Sequence, residues 1–417
     1  MPDYSNPPRI AIVGGGPAGL TLGALLARSG VPFSMFELRE KSTDAEDQPA
    51  GMLDLHTESG LAAIRECGLI EQIGQLSGDC TEAQKVADWD GNIVHQDQGE
   101  VSERPEISRN ALTKLLRSCV PASAINWGHK LLSAATSSIS SNGHVETVLD
   151  FGPHGKHTFD LVIGADGAWS PVRNLLTGIK PFYSGTQIIT TTVRQQFTAK
   201  YPHLSELVGT GSFTALGLRN GIVAQRGPHD SLRVYTVLST GDKDFATAAG
   251  LASQTPDAAK DRLLTDDTLL GRCGPILKEL ITSLFEEESS ANPHALLDIK
   301  PLYMLPIGTS WEHKANATLI GDSAHLMCPW AGEGVNLAMC DALLLSKAIT
   351  NAYHESSKDT FQETIDPLIK AFEAEQTSRS KEKAEETFTN GQLFYGREDG
   401  AKALAEFFDS VHQQLSG

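Results

Sequence analysis

The 417-residue sequence lacks any run of about 18 consecutive uncharged apolar residues, so no membrane-spanning helix is expected. It also lacks a CxxC pair and any cluster of cysteine and histidine at metal-ligand spacing. We therefore predict no metal site and expect the six cysteines to be free thiols. The first nine residues are polar and contain proline, which is atypical of a signal peptide, and a cytoplasmic protein is expected.

Positive charge is scarce, because 34 lysine and arginine residues are outnumbered by 52 aspartate and glutamate residues, giving a formal net charge of -18. The phosphates of a nucleic acid and an anionic membrane surface both require a basic face, so neither is an expected partner. An anionic small molecule would have to be bound by backbone amides and single arginines instead. Glycine-rich turns present such amides.

A glycine-rich motif, GGGPAG at residues 14–19, lies between a predicted strand at 9–14 and a predicted helix at 17–28. A second predicted strand, 31–37, ends in an acid. In such a unit the first glycine permits a tight turn, the second lets the backbone approach a pyrophosphate, and the third allows close packing of helix on strand. The acid can accept hydrogen bonds from a ribose diol. These parts predict a dinucleotide site, without distinguishing NAD from FAD, formed by Gly14, Gly16, Pro17, Ala18, Gly19, Glu37 and Arg39.

Two later segments are also short buried strands that end in an acid. DLVIGADG at 160–167 contains Asp166, and ATLIGD at 317–322 ends in Asp322. An acid at the edge of a parallel sheet can bind the hydroxyls of a sugar or ribityl chain. PWAGEGVN at 329–336 then begins a long helix, whose free N–H groups can stabilise the negative charge of a reduced isoalloxazine ring. These segments favour FAD and add Gly332, Gly334, Val335 and Asn336 to the predicted cofactor site.

The remaining chain is predicted to contain an inserted sheet and a helical tail. Residues 185–238 alternate strand-like segments with turn residues, which is typical of an antiparallel sheet. Asp90-Gly91 predicts a hairpin turn, Ser108 the cap of a helix, and Thr57 the cap of another over 57–67. The tail over 361–415 carries an apolar stripe typical of a packing surface.

Together these patterns predict an α/β protein with a Rossmann-like FAD-binding domain, an inserted antiparallel β-sheet substrate domain and a C-terminal helix. The predicted domains are discontinuous. Residues 1–74, 100–182 and 297–352 are assigned to the FAD-binding domain, 75–99 and 183–296 to the substrate-binding domain, and 353–417 to the C-terminal helical segment. We expect a monomer or a weak dimer.

The fingerprints GGGPAG, GADG and GD...PWAGEGVN, in this order, resemble those of the group A FAD-dependent monooxygenases, the para-hydroxybenzoate hydroxylase class. The segments GMLDLH at 51–56, RPEISRN at 104–110 and GDSAHLM at 321–327 are similar to the tetracycline-inactivating flavin monooxygenases, and this closer resemblance is thin between residues 186 and 296. It implies that Asp54, Arg109 and Asp322 contact FAD and that Asp166 lies beside it. It also implies that Pro329 lines the pocket near the oxygen-reactive face.

One departure from that class concerns the electron donor. Those relatives carry an arginine directly after the ribose-binding acid and another before the LDLH segment. Here Leu38 follows Glu37, Arg39 lies one place on, and residues 43–50 include no basic residue. The resemblance implies NADPH or NADH as the donor, but these residues do not identify which of the two is used.

The activity that the resemblance implies is insertion of one oxygen atom from O2 into an aromatic or enolic small molecule, including polycyclic, tetracycline-like ones, through a flavin C4a-hydroperoxide. This chemistry requires no side-chain acid or base, so no catalytic residue is predicted. His56 and His325 are interpreted as packing or hydrogen-bonding residues. Substrate contacts are expected from Gln187, Phe213, Gln225, Arg226 and Trp330.

Two alternative functions stay open at this point. A flavin-dependent Baeyer-Villiger or epoxidising oxygenase would use the same fold on a ketone or an alkene. A non-catalytic binding protein could keep the dinucleotide fold as a scaffold, although it would not need a charge-stabilising helix start after Asp322.

Overall fold

The structure, a computed structural model, describes residues 7–41, 51–76, 81, 83–99, 105–137 and 145–415, with side chains described through residue 410. Residues 43–50 and Arg104, named above, lie outside these ranges. The strands are β1 Ile10–Val13, β2 Ser34–Phe36, β3 Met52–Asp54, β4 Gln84–Ala87, β5 Ile93–Asp97, β6 Glu106–Ser108, β7 Ile125–Asn126, β8 Ser133–Thr136, β9 Thr147–Asp150, β10 Lys156–Phe159, β11 Leu161–Gly164, β12 Phe182–Val193, β13 Ser212–Gly217, β14 Asn220–Gly227, β15 Ser231–Ser239, β16 Ile299–Met304 and β17 Ala317–Leu319.

The helices are α1 Pro17–Arg28, α2 Gly60–Glu66, α3 Ile70–Leu76, α4 Arg109–Ser118, α5 Arg173–Leu176, α6 Phe197–Lys200, α7 Pro202–Val208, α8 Phe245–Ala248, α9 Pro256–Thr265, α10 Pro275–Ala291, α11 Asp322–His325, α12 Gly334–Glu355, α13 Lys358–Tyr395 and α14 Gly400–Leu415. Within the described part of the chain, no helix is long and apolar enough to cross a membrane.

Five short strands form a parallel sheet in the order β17-β11-β1-β2-β7. Side chains alternate between its two faces, as they do along any strand. Ile10 and Ile12 pack with residues of α1, α2, α4, α12 and α13, whereas Ala11 and Val13 pack in a second core with residues of the antiparallel sheet β10-β9-β8. The sheet is therefore covered on both faces, which explains its continuous apolar strands. This arrangement confirms the predicted fold class.

Most local predictions agree with the structure. The Ser108 hydroxyl accepts the N–H of Ala111 at 3.1 Å and caps α4, and the Asp90-Gly91 turn joins the antiparallel strands β4 and β5. The predicted Thr57 cap is wrong, because α2 begins at Gly60. The carbonyl of His56 accepts the N–H of Ser59 at 3.2 Å, and this contact closes a turn before the helix starts.

The inserted sheet has seven strands in the order β16-β12-β15-β14-β13-β4-β5, and every neighbouring pair is antiparallel except β13 and β4. The predicted domain boundary at residue 297 is wrong, because Ile299 pairs with Ile189 and β16 is an edge strand of this sheet. One face of the sheet packs on α7, α9 and α10. The other face contributes to a cavity and to a small core with α14.

Candidate active site

A cavity of about 960 Å³ lies where the carboxyl ends of the parallel strands meet the seven-stranded sheet. This edge is where ligands bind in open α/β sheets. Many residues predicted to bind a cofactor or substrate line it: Gly16, Pro17, Ala18, Glu37, Arg39, Asp54, Arg109, Gln225, Asp322, Pro329, Trp330, Gly332, Gly334 and Val335.

The glycines of the first motif have different structural roles. A Cβ on Gly14, whose φ is +109°, would lie 2.1 Å from the carbonyl oxygen of Ala165, and one on Gly19 would lie 2.0 Å from that of Gly14. These two glycines therefore form the turn itself. Gly16 lines the cavity, and a Cβ there would have no atom within 4 Å. Gly16 is thus open toward a ligand.

The carboxylate of Glu37 is buried and holds the glycine turn from the end of β2. Its Oε2 accepts the N–H of Gly15 at 2.7 Å. Its Oε1 accepts the backbone N–H of Arg39 at 3.0 Å and the guanidinium Nε–H at 2.7 Å. A fixed acid at this position is the group that binds a ribose diol in dinucleotide folds.

Asn336 does not line the cavity but connects α12 to β3. Its Oδ1 accepts the backbone N–H of His56 at 2.9 Å, and its Nδ2 donates to the carbonyl of Asp54 at 2.9 Å. The side chain of Asn336 therefore fixes the backbone that carries Asp54.

His56 connects two carboxylates at the same place. Its Nε2 lies 2.9 Å from Oδ2 of Asp54, and its Nδ1 lies 3.5 Å from Oε2 of Glu333, which also pairs with Lys383 at 2.6 Å. Hydrogen bonds to Asp54 first, and then to Glu333, raise the pKa of His56 to about 9. The imidazole is therefore charged at neutral pH, and it restrains the Asp54 carboxylate, which lines the cavity.

Replacing His56 with glutamine is expected to destabilise the protein by about 1–3 kcal/mol at pH 6. The folded-state pKa of about 9 lies above the ordinary 6.5, so the stabilisation is fully present below pH 6.5 and is lost as the pH rises through 9. Urea unfolding between pH 6 and 10 should show the two proteins converging. The control His203→Gln removes an exposed pair with Glu279 and should show no such convergence. A pH-independent difference for His56→Gln would contradict the prediction.

Asp322 lies in the cavity at the turn after β17, and a buried acid holds that turn from behind. Oδ2 of Asp341, a fully buried residue of α12, accepts the N–H of Gly321 at 3.0 Å. Gly321 has a φ of +62°, a conformation that favours glycine. The position of Asp322 therefore depends on a contact that reaches across the fold.

Three further side chains surround Asp341. Nε2 of His325 lies 2.6 Å from its Oδ2, Gln376 donates to the same oxygen at 2.8 Å, and Arg379 donates to Oδ1 at 2.9 Å. Burial disfavours the charged forms of His325 and Asp341, but the electrostatic attraction between the two groups outweighs this cost. The attraction raises the pKa of His325 and lowers the pKa of Asp341. His325 is thus a hydrogen-bonding residue of a buried ion network that supports the site.

Asp166 lies beside the cavity, since its neighbours Ala165 and Gly167 line the wall and it does not. Its Oδ2 accepts the N–H of Val172 at 3.3 Å, while its buried Oδ1 has no hydrogen-bond partner among the described residues. Burial raises the pKa of Asp166 to about 6. The unsatisfied oxygen is a polar atom that a ligand hydroxyl could satisfy.

Three sheet residues predicted to contact a substrate, Gln187, Phe213 and Arg226, do not line the cavity. Phe213 is fully buried in the core with α9 and α10, and Gln187 donates to the carbonyl of Lys243 at 3.0 Å. Arg226 donates to the hydroxyl of Ser205 in α7 at 2.6 Å. Adjacent residues of a strand point to opposite faces, and pattern alone did not determine which face was inward.

The sequence patterns also missed several cavity residues. Tyr235 is one of them, and its hydroxyl accepts the Nε–H of Arg233 at 3.1 Å. Ile188, Val223 and Val237 line the cavity as well. Once Gln225 is placed inward, the two-residue period of β14 and the pairing of Val223 with Tyr235 in β15 would have identified two of them.

The wall residue Trp330 and its neighbour Cys328 are held by α13. The Thr387 hydroxyl donates to the carbonyl of Cys328 at 2.7 Å, and Asn390 Nδ2 donates to the carbonyl of Trp330 at 3.1 Å. The rings of Trp330 and Tyr395 lie 4.6 Å apart between centroids. This part of the wall is therefore positioned by the helical tail.

The chain matches a known protein family over most of its length. The family model of the FAD binding domain matches residues 8–266 and 308–379. The chain belongs to this FAD-binding family. Monooxygenase penA of Penicillium thymicola is 35% identical over 435 residues, covering 96% of this chain and 98% of that protein. Monooxygenase asqM of Emericella nidulans is 33% identical over 422 residues, covering 92% and 94%. The chain is therefore an FAD-dependent monooxygenase.

Solved structures agree with this assignment. A salicylate hydroxylase substrate complex superposes on the monooxygenase with a TM-score of 0.72, covering 99% of this chain and 96% of that one at 19% identity. Tetracycline destructase Tet(51) superposes with a TM-score of 0.65, covering 98% and 95% at 15% identity. At these identities the two structures show the fold alone. With the family match, they confirm the resemblance to group A flavin monooxygenases.

The residues of the monooxygenase site fit FAD. Gly16 and Gly334 are both open to the cavity, since a Cβ on either would meet nothing within 4 Å. Each lies at the start of a helix, where unpaired N–H groups favour negative charge. Glu37 offers a buried, hydrogen-bonded acid and Asp322 an exposed acid for sugar hydroxyls, and Asp166 has its unsatisfied oxygen beside the cavity.

Proposed function

We propose that the enzyme uses NADPH or NADH to reduce its FAD, and that it inserts one oxygen atom of O2 into an aromatic or enolic carbon of a small molecule. The observation that carries the proposal is the continuity of the cavity. One volume of about 960 Å³ is lined both by the motif residues of the parallel sheet and by the inward residues of the seven-stranded sheet. A cofactor and a substrate bound in this cavity would lie against each other.

Bound FAD, once reduced, would react with dioxygen and so activate one oxygen atom for transfer. In the balanced reaction, a substrate C–H, O2, NAD(P)H and one proton give a substrate C–OH, water and NAD(P)⁺. The hydride and the C–H bond each supply two of the four electrons that reduce O2. The protein must therefore align the substrate with the flavin and exclude bulk water.

We assign the cofactor to the residues that line the parallel-sheet side of the cavity. The pyrophosphate is placed at the start of α1 beside Gly16, the adenosine ribose at Glu37 and the ribityl chain at Asp322. N–H groups of Gly334 and Val335 in the first turn of α12 would stabilise the negative charge of the reduced ring. Arg39, Asp54 and Arg109 are proposed as further FAD contacts because they line the same wall.

We assign the substrate to the wall formed by the seven-stranded sheet. Ile188, Val223 and Val237 make this wall apolar, and Gln225 and Tyr235 add hydrogen-bonding groups. A flat polycyclic molecule with a few oxygen substituents suits such a wall, because ring faces bury apolar area while the substituents fix orientation. Pro329 and Trp330 close the cavity from the loop before α12.

Purified protein tests the proposal directly. It should be yellow with the absorbance bands of bound FAD, and its oxidation of NADPH or NADH should accelerate with an accepted compound from a panel of phenols and enols that includes tetracycline. With ¹⁸O2, the product should gain one labelled oxygen atom. An ester from a ketone or an epoxide from an alkene would support the alternative oxygenases instead. If the hydrogen peroxide formed equals the NADPH or NADH consumed for every compound tested, the proposal is contradicted.

A further inference from the structure

Helix α13 presents one face to the wall residue Trp330. Thr387, Gly391 and Tyr395 are spaced four residues apart, so they lie on one side of the helix. Thr387 binds the loop at the carbonyl of Cys328, and Tyr395 packs against the Trp330 ring. Gly391 lies between these two contacts.

The glycine leaves room for the indole. A Cβ on Gly391 would lie 2.8 Å from Cδ1 and 3.1 Å from Nε1 of Trp330. The first distance is shorter than a Cβ contact tolerates, so a larger residue forces the ring and the helix apart. Glycine is also a poor helix former, so α13 gains nothing from it in local stability. The position of Gly391 is explained by its contact with Trp330.

The surroundings restrict where a displaced indole could go. The Trp330 backbone is held by Asn390 at 3.1 Å, and the Tyr395 ring lies 4.6 Å from the indole. Trp330 already lines the cavity, so a displaced indole has open volume on that side. A small change on α13 is therefore transmitted into the cavity.

We propose that Gly391 is a specificity-determining position that sets how far the indole of Trp330 projects into the substrate end of the cavity. Gly391 does not line the cavity, so it acts through Trp330 as a positioning residue. The inference rests on the proposed function, because that function assigns Trp330 to the substrate wall. It predicts that residues larger than glycine at 391 make the cavity reject large substrates before small ones.

The test compares FAD-loaded wild type, Gly391→Ala and the control Gly74→Ala. Gly74 lies within α3, and a Cβ there would meet nothing within 4 Å in the described part of the chain, so its substitution replaces a helical glycine without disturbing a described contact. Incorporated 5-fluorotryptophan labels the five tryptophans, and a Trp330→Phe sample assigns the Trp330 ¹⁹F signal. Phenol, 2-naphthol and tetracycline serve as probes of increasing size, with binding measured from the change in flavin absorbance.

Gly391→Ala should shift the Trp330 ¹⁹F signal. It should also lower the affinity for the largest probe that wild type binds by at least fivefold, while FAD affinity stays within twofold of wild type. In a Trp330→Phe background the same substitution should change probe affinity less than twofold. Gly74→Ala should leave all readings unchanged. The inference is overturned if the Trp330 signal does not move, if it moves without loss of probe affinity, if the loss persists in the Trp330→Phe background, or if wild type binds none of the probes. If the ¹⁹F shift and the loss of probe affinity occur as expected but no oxygenated product forms, the result contradicts the proposed function and not the inference about Gly391.

Discussion

Valine in place of Gly16 is expected to lower FAD affinity by about 100-fold, which corresponds to about 3 kcal/mol, without unfolding the apoprotein. Gly16 has an extended backbone with φ of -80°, which valine adopts without strain. A Cβ at this position meets no atom of the described residues within 4 Å, so the added methyl groups would occupy the cavity at the start of α1. There they would displace the pyrophosphate from the helix N-H groups.

Titration of the apoprotein with FAD, together with thermal unfolding of the apoprotein, would measure both halves of this prediction. Gly14→Val is the matched comparison, because its Cβ would collide with the carbonyl of Ala165 and its φ is +109°. That variant should lose several kcal/mol of apoprotein stability as well as FAD. A Gly16→Val protein that binds FAD within threefold of wild type would show that the pyrophosphate lies elsewhere.

Alanine in place of Asp341 is expected to reduce the free energy of unfolding by about 3–5 kcal/mol. The carboxylate is fully buried, and its removal would take the ionic partner at 2.6 Å from the buried His325 and leave Arg379 with only the exposed Glu375. The Gly321 N–H would also lose its acceptor, so the turn that carries Asp322 should loosen and FAD affinity should fall. Urea unfolding and FAD titration measure the two effects.

Glu375→Gln is the control for that experiment. Glu375 pairs with the same arginine at 3.0 Å, but 62% of its side chain is exposed, so its loss should cost less than about 1 kcal/mol. Because the ionised form of Asp341 is favoured in the folded state, the difference between wild type and Asp341→Ala should shrink as acidification protonates the carboxylate. Equal destabilisation by Glu375→Gln and Asp341→Ala would contradict the buried network as the source of stability.

The parts of the site that could be predicted from sequence are short stretches whose chemistry is local. The turn from Gly14 to Gly19 joins a strand end to a helix start, Glu37 directly follows a strand end, and the loop at Gly332 to Val335 leads into a helix start. Hydrogen-bonding groups are exposed at such junctions whatever surrounds them. The cavity brings these stretches together at one edge of the parallel sheet.

Residues on the seven-stranded sheet were harder to assign because a strand has two faces. Gln225 lines the cavity and Arg226 does not, although they are adjacent and both polar. In β12, Ile188 lines the cavity, whereas the adjacent Gln187 does not. A shift of one residue in register exchanges the faces, so composition alone cannot decide which residue is inward.

The sequence by itself determined the order of strands and helices in the dinucleotide fold, the cofactor type and the glycines that the turn requires, because each depends on neighbours a few residues away. Only the tertiary structure decided that His56 joins Asp54 to Glu333, that Asp341 holds the Asp322 turn, and that α13 sets the position of Trp330. Those contacts connect residues far apart in the chain. Their geometry comes from the packing of whole elements, which no local pattern contains.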